Sequence, residues 1–102
     1  MRVKQLRSKP VEAEAVKVIW DDNDLLALEA YPDWITMAIQ KGIVQSHMVR
    51  NKYRCFIIRN PDDKATASVA EPGEWIIKDS DGYYEGMNEV DMFQKYEEIN
   101  NG

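Results

Sequence analysis

The sequence predicts an α+β fold, with one small domain over residues 1–102 and a mostly antiparallel sheet of about five or six strands. Three observations support this. Short aromatic and β-branched runs recur between turn signals, helical spacing of apolar residues is confined to one region after the first strand, and 44% of the 102 residues are apolar. That apolar content suffices for one core. We expect one or two helices after the first strand and a short helical turn near the C-terminus.

The first strand is predicted over residues 11–20, where apolar and charged side chains alternate. The alternation changes phase between Ala15 and Val16. A β-bulge, or a passage from half-buried to fully buried surface, would explain this change. Residues 1–9 are basic, and we expect them to form a flexible N-terminal segment.

Two helical segments are predicted to follow this strand. The polar residues 21–24 supply an N-cap, and the leucines within residues 25–28 begin a short helix. A second helix opens at Pro32 and ends with Gly42 in the C′ position. Its apolar side is expected to carry Trp34, Met37 and Ala38, with Ile35 and Ile39 beside them.

Residues 43–70 are predicted to contain a hairpin. Residues 43–51 are ambiguous and fit an irregular strand, whereas residues 53–59 alternate clearly and indicate a strand. Residues 60–63 are typical of a turn with proline in its second position. Residues 66–70 then return as a strand of small side chains.

The C-terminal unit, residues 72–99, has the clearest order of signals. Pro72 and Gly73 form a turn that leads into a strand beginning at Trp75. Residues 79–82 form a hairpin turn before a second strand. Asn88 is expected to cap a helical turn with Asp91 three residues later, with Phe93 on its buried side, before a closing strand.

Charge is distributed unevenly along the chain. The net charge is −5, but residues 1–60 carry ten basic and seven acidic side chains, whereas residues 61–102 carry three basic and eleven acidic ones. The acidic half could form a face that occupies a basic, nucleic-acid-binding groove, or it could serve solubility alone. No apolar run approaches the length of about 18 residues that a membrane span requires. We therefore expect no membrane contact and no direct DNA binding.

Residues that carry chemistry are few. His47 and Cys55 are each the single residue of their type, so a zinc site within one chain is not expected. The lone cysteine fits a reducing cytoplasm, and its apolar strand favours an inert thiol. Residues 79–82 superficially resemble a calcium loop, but Val90 stands where the twelfth-position glutamate is required. We therefore expect no enzyme, no catalytic residue, no metal and no cofactor.

The aromatic residues are the better functional indication. Most large aromatic side chains in a small domain belong to its core, and that is the simplest interpretation of the three tryptophans. Tyr83 and Tyr84 follow a hairpin turn and place one ring on each face of a strand. The outward ring is available to a partner, because tyrosine is favoured at interfaces.

The chain also resembles a family of small proteins common in phages and prophages. Lys9-Pro10 and Trp20 match the beginning of that pattern, and Pro-Gly-Glu-Trp-Ile-Ile-Lys over residues 72–78 matches its C-terminal motif. Gly82 with Tyr84, and Phe93 with Tyr96-Glu97, complete the pattern. The family has no generally assigned function, so the resemblance implies a setting, the host cell cytoplasm, rather than an activity.

Three hypotheses follow. The first is a phage-encoded accessory protein that binds and inhibits a host defence or nucleic-acid-processing complex. Its contact residues would be Tyr83, Tyr84, Glu85, Glu89 and Glu97. The second is a protein that binds or sequesters a nucleotide by stacking and phosphate contacts. Its residues would be Trp20, Trp34, Trp75, Arg54 and Arg59. The third is a phage structural or assembly component. A homodimer that pairs through an exposed sheet edge is compatible with all three.

Overall fold

The computed structural model describes residues 3–8 and 11–98, and this part of the chain contains nine strands and two helices. The elements are β1 (Val3–Ser8), β2 (Val11–Trp20), β3 (Leu26–Leu28), α1 (Asp33–Gln40), β4 (Val44–Val49), β5 (Lys52–Asn60), β6 (Asp63–Ala70), β7 (Trp75–Asp79), β8 (Tyr84–Met87), α2 (Glu89–Lys95) and β9 (Glu97–Glu98). Lys9, Pro10 and Ile99 lie outside the described residues.

The strands form two antiparallel sheets. The larger sheet has the order β8-β7-β2-β1-β9, with β3 paired to the end of β2, and the smaller has the order β4-β5-β6. The prediction of a small, mostly antiparallel domain with helices is confirmed in this outline. The strands are more numerous than expected and are divided between two sheets, and α1 follows the third strand rather than the first.

Strand β2 is central, and each of its faces is buried over part of its length. Its register is continuous from Ala15, opposite Ile77, to Val16, opposite Ile76, so the β-bulge considered from the sequence is absent there. Ala13 and Ala15 face a cluster that includes α2, whereas Val16 and Val18 face the main core. The alternation of apolar residues therefore changes phase because one face of β2 is covered near its start and the other face near its end.

The main core lies between the two sheets and α1. It joins residues of β2, β3, α1, β4, β5, β6 and β7 into one buried cluster. A second cluster lies on the opposite face of the larger sheet, under α2, where Leu6, Trp75 and Met92 are almost completely buried. None of the helices in the described part of the chain is long and apolar enough to cross a membrane.

Two local expectations near the N-terminus are wrong. Leu26–Leu28 form strand β3 rather than a helix, because they pair with Val18–Trp20 along the end of β2. Residues 3–8 form strand β1, paired to β2, and Leu6 is fully buried. Burial of that leucine anchors this part of the segment that was expected to be flexible.

Helix α1 begins and ends at the predicted residues. Pro32 occupies the N-cap position and Gly42 follows the helix with a φ of 77°. The buried side chains of the helix are Ile35 and Ala38, whereas Met37 is 49% exposed. The expectation that Met37 lies on the buried face is therefore wrong, because the core contacts are made by the Ile35 side of this short helix.

The C-terminal unit follows its predicted order with one correction. Asn88 caps α2, since its side-chain oxygen accepts from the Asp91 N–H at 2.8 Å. Phe93, however, is 44% exposed. Met92 and Tyr96, four residues apart and therefore on one side of the helical turn, are buried instead.

Replacing Asn88 by alanine is expected to destabilise the protein by about 1 kcal/mol, the usual value of an N-cap. The reason is that the Asp91 N–H then loses its acceptor in the first turn of α2. Urea denaturation measures the change, with Asn88→Ser as the matched variant that keeps a capping oxygen. Equal losses in the two variants would contradict the capping role.

The two sheets are joined along the edge of β8. The Asn60 side chain, in β5, donates to the Tyr84 carbonyl at 2.8 Å and accepts from the Tyr84 N–H at 2.7 Å. In β6, the Ser68 hydroxyl accepts from the Gly86 N–H at 2.9 Å. Side chains of the smaller sheet thus satisfy edge groups of the larger one, and β8 is not left open to other strands.

Candidate functional site

An open apolar groove lies between two walls of the molecule. Leu25, Tyr31 and Ile39 line one wall, from the β2–β3 loop, the segment before α1, and α1 itself. Met48 and Tyr53 line the other, from the β4–β5 hairpin. The groove has a volume of about 560 Å³, and it continues the main core outward, because Phe56 belongs to both.

The groove brings together large apolar side chains that are unusually exposed. Leu25 is 57% exposed, Tyr31 55%, Tyr53 47%, Met48 46% and Ile39 40%. Isolated exposed hydrophobic residues are ordinary on a soluble protein, but a contiguous set that shares one concavity is typical of an interaction site. We therefore take this groove as the candidate binding site.

Local hydrogen bonds fix the first wall. The Asp21 carboxylate accepts from the N–H groups of Asn23 at 2.8 Å and Leu25 at 3.0 Å, which closes the loop before β3. The Tyr31 hydroxyl accepts from the Leu28 N–H at 3.2 Å and so restrains the tyrosine ring. This wall is preformed, and a partner would meet little conformational cost in using it.

The second wall is the β4–β5 hairpin, whose turn has two residues. Arg50 and Asn51 both adopt positive φ, at 52° and 67°, as a type I′ turn requires. The pairing changes register after His47, and Arg54 has no cross-strand partner in β4. This bulge and the turn project the hairpin tip beyond the core, where Tyr53 reaches the groove.

The hairpin side of the groove is basic. The hairpin residues 44–54 contain Arg50, Lys52 and Arg54 but no aspartate or glutamate. Lys52 connects the two walls, because its ammonium lies 3.0 Å from the Asp24 carboxylate and 4.6 Å from the centre of the Trp20 ring. This pair is largely exposed, so its main effect is on orientation rather than on stability.

The residues proposed to contact a partner through an acidic and aromatic surface occupy different environments. Tyr83 is 44% exposed, whereas Tyr84 is half-buried and its ring centre lies 6.4 Å from that of Trp34. Glu85 is paired with Lys95 at 3.2 Å. Burial alone would lower the pKa of Lys95, but the hydrogen bond and charge of Glu85 raise it. Glu89 and Glu97 are exposed.

The residues proposed for nucleotide binding are not gathered in one place. Trp20 is 37% exposed and lies under the Lys52 ammonium, Trp34 packs against the main core, and Trp75 is only 3% exposed in the second cluster. Arg54 is exposed on the hairpin, and Arg59 lines a separate cleft of about 310 Å³ with Lys41. The tryptophans therefore belong to three environments.

The single histidine and cysteine lie opposite each other, as His47 in β4 pairs in register with Cys55 in β5. Burial, with smaller contributions from Glu71 and Glu74, raises the pKa of the Cys55 thiol. A nucleophilic cysteine requires the opposite shift. Among the described residues, no group of three metal-binding side chains comes together.

Comparison of the chain with protein-family models, with curated proteins and with solved structures finds no match. The site is therefore defined by its geometry alone. The groove could not be predicted from the sequence, because the residues of its two walls come from three separate segments of the chain. One sequence signal does indicate the hairpin wall: residues 44–54 carry three basic side chains and no acidic ones.

Proposed function

We propose that this protein is a non-enzymatic accessory protein that binds a polypeptide partner in the apolar groove. The observation that carries the proposal is the preformed concavity in which Leu25, Tyr31, Ile39, Met48 and Tyr53 are each 40–57% exposed. Covering these side chains would remove substantial apolar surface from water, which is the main favourable term in protein association.

The chemistry of the groove favours a protein partner. Tyrosine, methionine, tryptophan and arginine are enriched at the centres of protein interfaces, and all four types occur in or beside this groove. Each half-exposed side chain that becomes fully covered contributes about 1 kcal/mol. The apolar side chains would supply affinity, while the basic hairpin would orient the partner.

This proposal retains the class of function expected from the sequence and moves the contact surface. A phage setting, and inhibition of a host defence or nucleic-acid-processing complex, stay predictions that rest on the family resemblance. The surface of Tyr83 and the neighbouring glutamates is the competing contact site, and the experiment below separates the two.

A small-molecule ligand is the second candidate, favoured by the size of the groove. A volume of about 560 Å³ lies within the range of ligand pockets, roughly 300–1,000 Å³. The rings available there are Tyr31 and Tyr53, with Lys52 at the rim. Native mass spectrometry of the protein from phage-challenged cells tests this candidate: a retained small mass would favour it, and a bare chain would favour the polypeptide partner.

The decisive experiment compares two tyrosines of similar exposure. Tyr53, in the groove, is 47% exposed, and Tyr83, on the competing surface, is 44% exposed. Affinity capture from extracts of phage-challenged cells is performed with the wild type, Tyr53→Ser and Tyr83→Ser. We expect a partner that Tyr83→Ser retains and that Tyr53→Ser binds about tenfold more weakly.

The same pair of variants provides the control and the contrary outcomes. Both substitutions are at the surface, so both proteins are expected to keep the wild-type stability within about 0.5 kcal/mol. Loss of the partner only in Tyr83→Ser would place the contact on the acidic and aromatic surface. If both variants retain the partner, the groove is not its binding site.

A further inference from the structure

Strand β4 presents an open sheet edge beside the groove. The edge of β8 is satisfied by Asn60 and Ser68, and β6 packs against β8. Strands β3 and β9 are only three and two residues long. By contrast, β4 is six residues long, and its outer side has no neighbouring strand among the described residues.

The hydrogen-bond pattern shows which groups of β4 point outward. The Arg59 N–H donates to the Ile43 carbonyl at 2.9 Å, and Val44 is opposite Ile58 in the next position of the register. Because bonded and non-bonded pairs alternate in an antiparallel ladder, the N–H and C=O groups of Val44 and Ser46 point away from β5. Val44 is only 1% exposed, so its outward groups are covered, whereas Ser46 is exposed and its groups are positioned to pair with an added strand.

This edge carries none of the side chains by which exposed strands usually avoid pairing, and the bulged residue of the hairpin, Arg54, lies in β5. Residues 44–49 contain no lysine, proline, aspartate or glutamate. Ser46 and Met48 line the groove from β4. Alternate side chains of a strand added beside β4 would point to the same face, into the groove.

Charge indicates which strand would bind. The β4–β5 hairpin carries the exposed Arg50 and Arg54, and residues 44–54 contain no acidic side chain. A second copy of the same edge would bring further positive charge beside them, whereas an acidic segment would be complementary. The observations thus favour a partner segment with alternating apolar and acidic side chains over self-association.

We propose that the partner binds as an extended acidic segment that adds a strand to the free edge of β4 and places alternate apolar side chains in the groove. The inference rests on the proposed function, since it names the partner chemistry of the same groove. It adds two requirements: main-chain hydrogen bonds to β4, and negative charge on the bound segment.

The test uses defined peptides rather than the natural partner. The probe is the acetylated, amidated heptapeptide Glu-Val-Glu-Leu-Glu-Val-Glu, whose own charge opposes self-assembly at neutral pH. One control replaces each glutamate by lysine, and another carries N-methyl groups on alternate residues to remove main-chain donors. Titrations of isotope-labelled protein, followed by NMR, are expected to show saturable binding of the probe and about tenfold weaker binding of both controls. Bound probe should also slow hydrogen exchange at the exposed Ser46 amide.

Variants at one position test the strand edge from the protein side. Ser46→Pro removes an outward N–H without breaking a bond to β5, and proline is tolerated at such edge positions. Ser46→Ala is the matched control, which removes the hydroxyl and keeps the N–H. We expect Ser46→Pro to bind the probe about tenfold more weakly than Ser46→Ala does.

Each contrary outcome has a definite meaning. Equal binding of the N-methylated peptide, lost in Tyr53→Ser, would overturn strand addition and leave the groove function intact. No binding of any peptide, or equal binding of the lysine peptide, would also overturn the inference. So would a dimer in sedimentation experiments that Ser46→Pro dissociates, because the occupant would then be a second copy.

Discussion

Replacing Asn60 by alanine is expected to lower the free energy of unfolding by about 2–4 kcal/mol. The side chain is 8% exposed and makes two hydrogen bonds to the backbone of one residue, Tyr84, across the junction between the sheets. Alanine removes both bonds and leaves the part-buried N–H and C=O of Tyr84 without these partners, and each loss costs about 1–3 kcal/mol. For a domain of this size the midpoint Tm should fall by roughly 10–20 °C.

Urea denaturation and thermal melting measure this change, with Asn23→Ala as the control. Asn23 is exposed in the loop before β3, so its replacement should change stability by less than about 0.5 kcal/mol. A loss below about 1 kcal/mol for Asn60→Ala would contradict the role of this side chain in joining the sheets.

Replacing Gly86 by alanine is the second large effect expected, a loss of about 2–3 kcal/mol or more. A β-carbon at this position would lie 2.7 Å from the Val69 carbonyl oxygen and 2.9 Å from its carbon. Both atoms belong to the backbone of β6, so the clash is relieved only by moving one sheet away from the other. That movement would also strain the bond between the Gly86 N–H and Ser68.

Gly82→Ala separates this clash from the general effect of losing a glycine. Gly82 has a φ of 84° and open space around its added β-carbon, so alanine there should cost about 1 kcal/mol through backbone strain alone. Chemical denaturation of the two variants is the measurement. If Gly86→Ala proves as stable as Gly82→Ala, or more so, the close approach of β8 and β6 is not a constraint on the fold.

Features that depend on a few neighbouring residues were predictable from the sequence. The Asn88 cap, the end of α1 at Gly42 and the turn after Asp79 all appear where they were expected. Each is determined by local backbone geometry, by side-chain oxygens close in sequence, or by the conformational freedom of glycine. The strand predicted over residues 53–59 is likewise present within β5.

Features that depend on distant partners were not. Leu26–Leu28 have the composition of a helix, yet pairing with β2 makes them a strand. Asn60 was predicted as a turn residue, and its bonds to Tyr84, 24 positions away, have no sequence signature. The groove likewise joins residues from Leu25 to Phe56 that no periodicity relates.

Composition and short-range pattern were enough to predict the class of the domain and the order of most elements, because both follow from residues close together in the chain. The division of the strands between two sheets, the large apolar side chains that stay exposed and the sheet edge that stays open become apparent only in the folded chain. Those outcomes depend on contacts between residues far apart in the chain, since burial and edge pairing are properties of the assembled surfaces.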